Sequence, residues 1–263
     1  MRPGRREGGL PSAQAGGRLR GVIGTALNVA GILAGGLAGL TVAKHLDPRT
    51  QQRLRTGLAG VVVYTAGAIV WSALHGPIGA AAKQVVLAVL ALVAGNLIGR
   101  RLGLQRALDR LGREAGRRFA KASAAAPGTE AVSVGAGFMT CTLLFCANPV
   151  ALLGALQDGI GGEWRTLALK AAMDGLAAMG LATTFRWAPL LAAVPVLALQ
   201  GTLTLVARAV AERIGQPALV DSVNLTGGLI VACVALVVLD LRKVPLADYL
   251  PALVVAPLLT RWL

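Results

Sequence analysis

The stretch Val150–Leu181, VALLGALQDGIGGEWRTLALKAAMDGLAAMGL, places Asp158, Lys170 and Asp174 in surroundings that otherwise read as membrane. Asp158-Gly159 has the composition of a turn, so the stretch divides into two apolar helices. Lys170 and Asp174 are four residues apart and meet on one face of the second helix, where they can pair. A helix starting near Trp164 and rising 1.5 Å per residue puts Asp174 roughly 15 Å from the surface, close to the bilayer midplane. An ionised carboxylate costs about 2.5 to 3.5 kcal/mol at that depth on insertion scales, so something must offset it. Lys170, water, a proton or a bound cation are the options.

The rest of the chain continues the pattern. Of 263 residues, 55% are hydrophobic and 14% charged, against roughly 25% charged in soluble domains. Apolar runs of the roughly 20 residues needed to cross a bilayer recur almost end to end. The reading is an all-α, polytopic transmembrane helical bundle in one domain, 21–263, preceded by a polar Arg- and Gly-rich tail, 1–20, expected to be disordered. Spans are expected at about 21–43, 57–75, 84–103, 131–156, 164–185, 187–211 and 223–241. An eighth segment, 246–263, is interrupted by Pro245, Pro251 and Pro257, carries Asp158-like polarity at Asp248, and reads as broken or re-entrant. Trp71, Trp164, Trp187 and Trp262 fall near span ends, as interfacial anchors do.

Within the fourth span, Pro149 cannot donate to the carbonyl of Phe145, so the helix should kink or unwind around Asn148. Carbonyls freed at membrane depth are tolerated where they line a cavity or coordinate an ion. Gly24, Asn28, Gly31, Gly35 and Gly39 form one stripe on the first span, suited to close helix packing. The Asn28-x-x-Gly31 element returns at Asn96–Gly99 and Asn224–Gly227, hinting at an internal repeat. Asn28 and Gln200 can each hydrogen-bond between helices.

The net charge of +14 is concentrated at the ends of apolar runs, a placement that suits membrane orientation and anionic headgroups and argues against nucleic acid. Residues 104–121 carry Leu104, Leu108, Leu111, Ala115 and Phe119 on one side and Arg106, Arg110, Arg113, Arg117 and Lys121 on the other, an amphipathic helix for the membrane surface. With that helix cytoplasmic, Lys44, Arg49, Arg53, Arg55, Arg242 and Lys243 share its side. The five-Arg tail then falls outside, against the positive-inside rule. The first and fourth spans would run in opposite directions, as in an inverted repeat of two three-span units.

Enzyme signatures are scarce. His45 and His75 lie at span ends, no Ser, His and Asp set suggests a triad, and the aspartates lack the Gly-x-Gly-Asp pattern of intramembrane aspartyl proteases. Cys141, Cys146 and Cys233 sit in apolar runs as small hydrophobes. No enzyme activity and no cofactor are expected, and metal binding is left open.

The segments GTALNVAGILAGGLAG, LLFCANPVALLGALQDGIGG, LALKAAMDGL, LQGTLTL and LPALVVAPLL, in that order from Gly21 to Leu263, resemble the bacterial membrane-protein family known as domain of unknown function 554. The resemblance implies a multi-pass inner-membrane protein of about seven helices, of a family sometimes described as transporters and without a settled activity. It places the family's polar positions at Asp158, Lys170, Asp174, Asn28, Gln200 and Gly201. This chain departs from the pattern at Asn148, where Gly is expected, and in its longer basic tail.

The function expected is transport of a small solute or ion, with a cation or proton favoured, through a pathway drawing on Asp158, Lys170, Asp174, Asn148, Gln157, Asn28 and Gln200. The alternative is a non-transporting scaffold or regulator that recruits lipid or a partner through the basic helix. Expected partners are the bilayer, anionic lipids at the basic helix and a cation or small solute. A homo-oligomer is compatible with the sequence.

Overall fold

The computed structural model describes residues 22–41, 48–124, 130–214 and 216–263, and among these only helices and turns occur. In order they are α1 (Ile23–Thr41), α2 (Pro48–Ala73), α3 (Ile78–Leu102), α4 (Leu104–Ala124), α5 (Glu130–Cys146), α6 (Pro149–Gly161), α7 (Arg165–Phe185), α8 (Ala188–Ile214), α9 (Pro217–Val238), a 3-10 turn (Leu246–Tyr249) and α10 (Ala252–Trp262). Each expected span has a helix at its place. The tail, Lys44 and His45 lie outside the described residues.

Five of these helices, α1, most of α2, α3, α8 and α9, are long and apolar enough to cross a membrane. The α5–α6 pair makes a sixth if it counts as one span bent by 57°. That is one or two fewer than the seven expected from sequence. The difference is α7, which has the length but carries Lys170 and Asp174 within it. Its charged face is covered by α1, α2, α5, α6 and α8, all of which pack on it, while Leu176 and Gly180 on its other face are exposed.

Packing registers fix the helix directions. Gly31 of α1 meets Ala171, Gly35 meets Gly175 and Gly39 meets Met179 on α7, so both numbers rise together and α1 and α7 run parallel. Asn28 pairs with Gln200 and Gly36 meets Leu190, so α8 runs antiparallel to α1. Gly137 of α5 lies against Phe185 at the end of α7, whereas Gly154 of α6 lies against Leu167 at its start. The α5–α6 pair therefore traverses the bundle from one end to the other, as a broken span. Its direction is opposite to α1, as the alternation of spans required.

The break has the expected cause. Asn148 takes an extended conformation (φ −116°, ψ 127°) and its side-chain oxygen accepts from the Val150 N–H at 2.9 Å, while Pro149 occupies the first helical position, where a missing N–H costs nothing. Asn148→Ala is expected to lose about 1 kcal/mol of stability, read as a lower unfolding midpoint in detergent.

The C-terminal segment is broken as expected. α10 has 11 residues and rises about 16 Å, half a hydrocarbon layer. Its register against α3, Asp248 at Gly99 and Ala252 at Gly95, is antiparallel. Asp248 is 7% exposed and its carboxylate accepts the Gln105 N–H at 2.9 Å. A buried acid thus caps the first turn of α4 from another segment, where the helix dipole favours negative charge.

Gly103, at φ 68°, makes the sharp turn from α3 into α4. Arg106, Arg110, Arg113 and Arg117 of α4 are exposed, Leu104 and Leu108 are half-buried, and the helix packs on α5. Leu111 is exposed, and the side chains of Ala115, Phe119 and Lys121 lie outside the described residues. Directions place Arg49, Arg53, Arg100, Arg101, Arg186, Arg242, Lys243 and the α4 arginines at one end of the bundle. The starts of α1 and α7 mark the other.

The glycines of the three Asn-x-x-Gly elements all serve close crossings. A side chain at Gly31, Gly99 or Gly227 would collide with Ala171, Asp248 or Gln157 respectively. Their partners differ in kind, a helix backbone, a 3-10 turn and a side chain.

Candidate functional site

α1 presents Gly24, Thr25 and Asn28 inward at helical spacing, and each meets a polar group of a neighbouring helix. The Asp158 carboxylate of α6 accepts the Gly24 N–H at 3.1 Å. Thr25 and Thr204 of α8 lie with hydroxyl oxygens 3.3 Å apart. The Asn28 amide donates to the Gln200 carbonyl oxygen at 3.0 Å, and its place between Gly24 and Gly31, which meet Leu167 and Ala171 of α7, sets it beside the Lys170–Asp174 pair. Asp174 in turn takes the Lys170 ammonium in a hydrogen-bonded ion pair. The result is a string of polar groups from the end of the bundle near Asp158 to the middle of α7.

Burial along the string is nearly complete. Thr25, Asn28, Asp158, Lys170 and Thr204 are 0% exposed, Gln200 1% and Asp174 5%. Asp158 departs from expectation here. It is not a solvated turn residue, because α6 continues through it to Gly161 and turns only at Gly162, φ 66°. Its carboxylate instead caps α1 from outside, offsetting the charge with the first-turn N–H and the positive end of the helix. Glu163, in the turn that follows, is 9% exposed and accepts the Arg165 N–H at 3.1 Å.

The pairing is incomplete. Among the described residues, Asn28 Oδ1, Gln200 Nε2, Gln157 Nε2 and the second oxygen of Asp158 have no hydrogen-bond partner. A buried polar atom left this way costs about 1 to 3 kcal/mol, and such atoms cluster where a structure has a use for them.

The break between α5 and α6 lies beside the ion pair. Gly154 of α6 lies against Thr166 and Leu167 of the antiparallel α7, so Val150, one turn earlier on α6, stands level with Lys170, and it packs in one cluster with Leu169 and Met173. The interruption therefore sits at the depth of Lys170.

Five of the residues expected from sequence, Asp158, Asn28, Gln200, Lys170 and Asp174, belong to this string. Asn148 is at the adjoining break. Gln157 stands slightly apart, accepting from the Thr166 hydroxyl at 2.8 Å on the α7 and α9 side of α6. Gly201, which the family resemblance pairs with Gln200, has open space around it. Thr25, Thr166 and Thr204 were missed. The signal for two of them was spacing: Thr25 precedes Asn28 by three residues and Thr204 follows Gln200 by four, so each extends a polar face already marked.

A separate cavity of about 180 Å³ lies at the Asp158 end, lined by His75, Gln84, Asp221 and Ser222 among others. There His75 Nδ1 is 3.5 Å from the Asp221 carboxylate. It is built from α2, α3, α9 and α10 and shares no residue with the string.

Two bacterial proteins are similar over nearly their whole length. The uncharacterized membrane protein YdfK of Bacillus subtilis is 25% identical over 238 residues, 90% of this chain and 94% of its own. The uncharacterized protein YqgA of Escherichia coli is 26% identical over 242 residues, 92% of this chain and 97% of its own. No solved structure matches the chain. The profile described as protein of unknown function (DUF554) matches residues 23–261, a range that takes in all of the described helices but the last residue of α10, and the chain belongs to that family of membrane proteins.

Proposed function

We propose that this protein is a transporter of a small solute or ion in the bacterial inner membrane, and that the string from Asp158 through Asn28 and Gln200 to Lys170 and Asp174 is its pathway. The observation that carries the reading is the coincidence, at one depth, of a broken span at Asn148 and a buried Lys170–Asp174 pair. A scaffold needs neither. Ion pairs in the bundle interior are expensive and stability alone is a poor reason to keep them. Interrupted helices at mid-depth expose the terminal peptide groups that bind substrates in transporters.

The concentration of Arg and Lys at one end favours an orientation with that end cytoplasmic. The exposed arginines of α4 are then placed to meet anionic lipid headgroups.

The test is flux in proteoliposomes. Vesicles loaded with a pH-sensitive dye would be challenged with gradients of Na⁺, K⁺, small amino acids, amines and carboxylates. At least one is expected to move through the parent protein, and flux should fall at least about tenfold when Lys170→Met and Asp174→Leu are combined. Parent vesicles indistinguishable from protein-free ones for every solute would discard the transport reading.

A further inference from the structure

We propose that Lys170, Asp174, Asn28 and Gln200 form the binding site of a small zwitterion, an α-amino acid, and not of a bare cation. The inference rests on the transport reading and names the substrate class for the same site.

Charge favours a zwitterion. Lys170 and Asp174 sum to zero and are 0 and 5% exposed. Adding a cation would leave a net positive charge buried near mid-depth, and adding an anion a net negative one. Uncompensated charge in such a place is what buried sites avoid. A ligand that carries its own ammonium and carboxylate can exchange partners with the pair, the ammonium facing Asp174 and the carboxylate facing Lys170, with no net charge buried.

The amides favour it too. Asn28 Nδ2 and Gln200 Oε1 hydrogen-bond to each other, which leaves Asn28 Oδ1, an acceptor, and Gln200 Nε2, a donor, without partners. The acceptor suits an ammonium N–H and the donor suits a carboxylate oxygen. Asn28 lies between Gly24 and Gly31, which meet Leu167 and Ala171 of α7, so the amide pair and the ion pair gather at one depth of the bundle. A cation would use the acceptor and leave the donor unsatisfied.

So does distance. The charged heads of Lys170 and Asp174 are in direct hydrogen-bond contact. A ligand that inserts between them and exchanges partners needs its two charges close together, as on a single α-carbon. The neighbouring break adds polarity of the same kind. The end of α5 offers carbonyl oxygens and the start of α6 offers the positive end of a helix dipole, so cationic and anionic ligand groups both find a complement.

The experiment is thermal unfolding of the detergent-purified protein with L-alanine, propylamine, propionate, Na⁺ or K⁺. L-Alanine is expected to raise Tm by several degrees at saturation, with no shift from the others. The combined variant Lys170→Met, Asp174→Leu should keep a cooperative transition and lose the alanine shift. Gln200→Met, which removes one donor and no charge, should weaken alanine binding about tenfold. A shift from propylamine, Na⁺ or K⁺ equal to that from alanine would overturn the zwitterion and leave transport standing. So would an alanine shift that survives in both variants. No shift from alanine in the parent also overturns it, and the proteoliposome flux then decides whether the transport reading falls with it.

Discussion

Lys170→Met alone is expected to destabilise the protein by about 3 to 5 kcal/mol, and Asp174→Leu alone by a similar amount, while the two together cost about 1 kcal/mol or less. Lys170 is fully buried and hydrogen-bonds Asp174 one turn away on α7. Removing it strands a carboxylate that is only 5% exposed. Removing Asp174 strands an ammonium group with three donors and no counter-charge. Replacing both with apolar groups removes the desolvation cost along with the attraction. The double-mutant cycle in thermal or denaturant unfolding reads the coupling directly. Single losses no larger than the double one would show that the charges do not depend on each other. The same cycle read as flux separates the two roles of the pair, because a variant that is stable and inactive assigns the charges to function.

How far the sequence led can be judged at Pro149 and Asp158, which behave oppositely. Pro149 was legible because its effect is local: it lacks a donor and crowds the preceding turn wherever it stands. The break at Asn148 and the 57° bend follow from that chemistry. Lys170 and Asp174 were legible for a similar reason, since spacing by four puts them together in any helix. Asp158 was misread because what settles it is tertiary. Asp-Gly in isolation favours a turn, but here α6 runs on and the carboxylate finds the N–H of Gly24, 134 residues away. Nothing within a few residues of Asp158 records that meeting. Asn28 and Gln200 could be marked as polar on apolar helices, but their pairing across 172 residues rests on α1 and α8 running antiparallel at one register. The threonines are hardest, because a hydroxyl on a membrane helix can bond its own backbone, as Thr260 does to Ala256, and only a facing helix gives it another partner.

The register that creates those meetings is set by glycine, and Gly35→Ala is expected to cost about 3 kcal/mol or more, above the 1 to 3 kcal/mol of ordinary overpacking. A methyl group at Gly35 would overlap the carbonyl oxygen, carbon and Cα of Gly175. None of these is the end of a flexible side chain that could swing away. Relief requires α1 and α7 to separate, and the close approach is mutual, since a side chain at Gly175 would meet the Gly31 carbonyl oxygen at 2.8 Å. Separation also pulls Asn28, seven residues back on the same face of α1, from the Lys170–Asp174 pair. The loss should therefore appear twice, as a lower unfolding midpoint and as impaired flux or ligand binding. Gly180→Ala is the control: it lies on α7 with nothing within 4 Å of the added carbon, and exchanging Gly for Ala at an open helical position is expected to stabilise by about 0.5 to 1 kcal/mol. The opposite signs follow from geometry alone, because the residue change is the same and the helix pair is the same. If Gly35→Ala were as harmless as Gly180→Ala, the two backbones would not be in contact, and the crossing that holds Asn28 beside the Lys170–Asp174 pair would have to be abandoned.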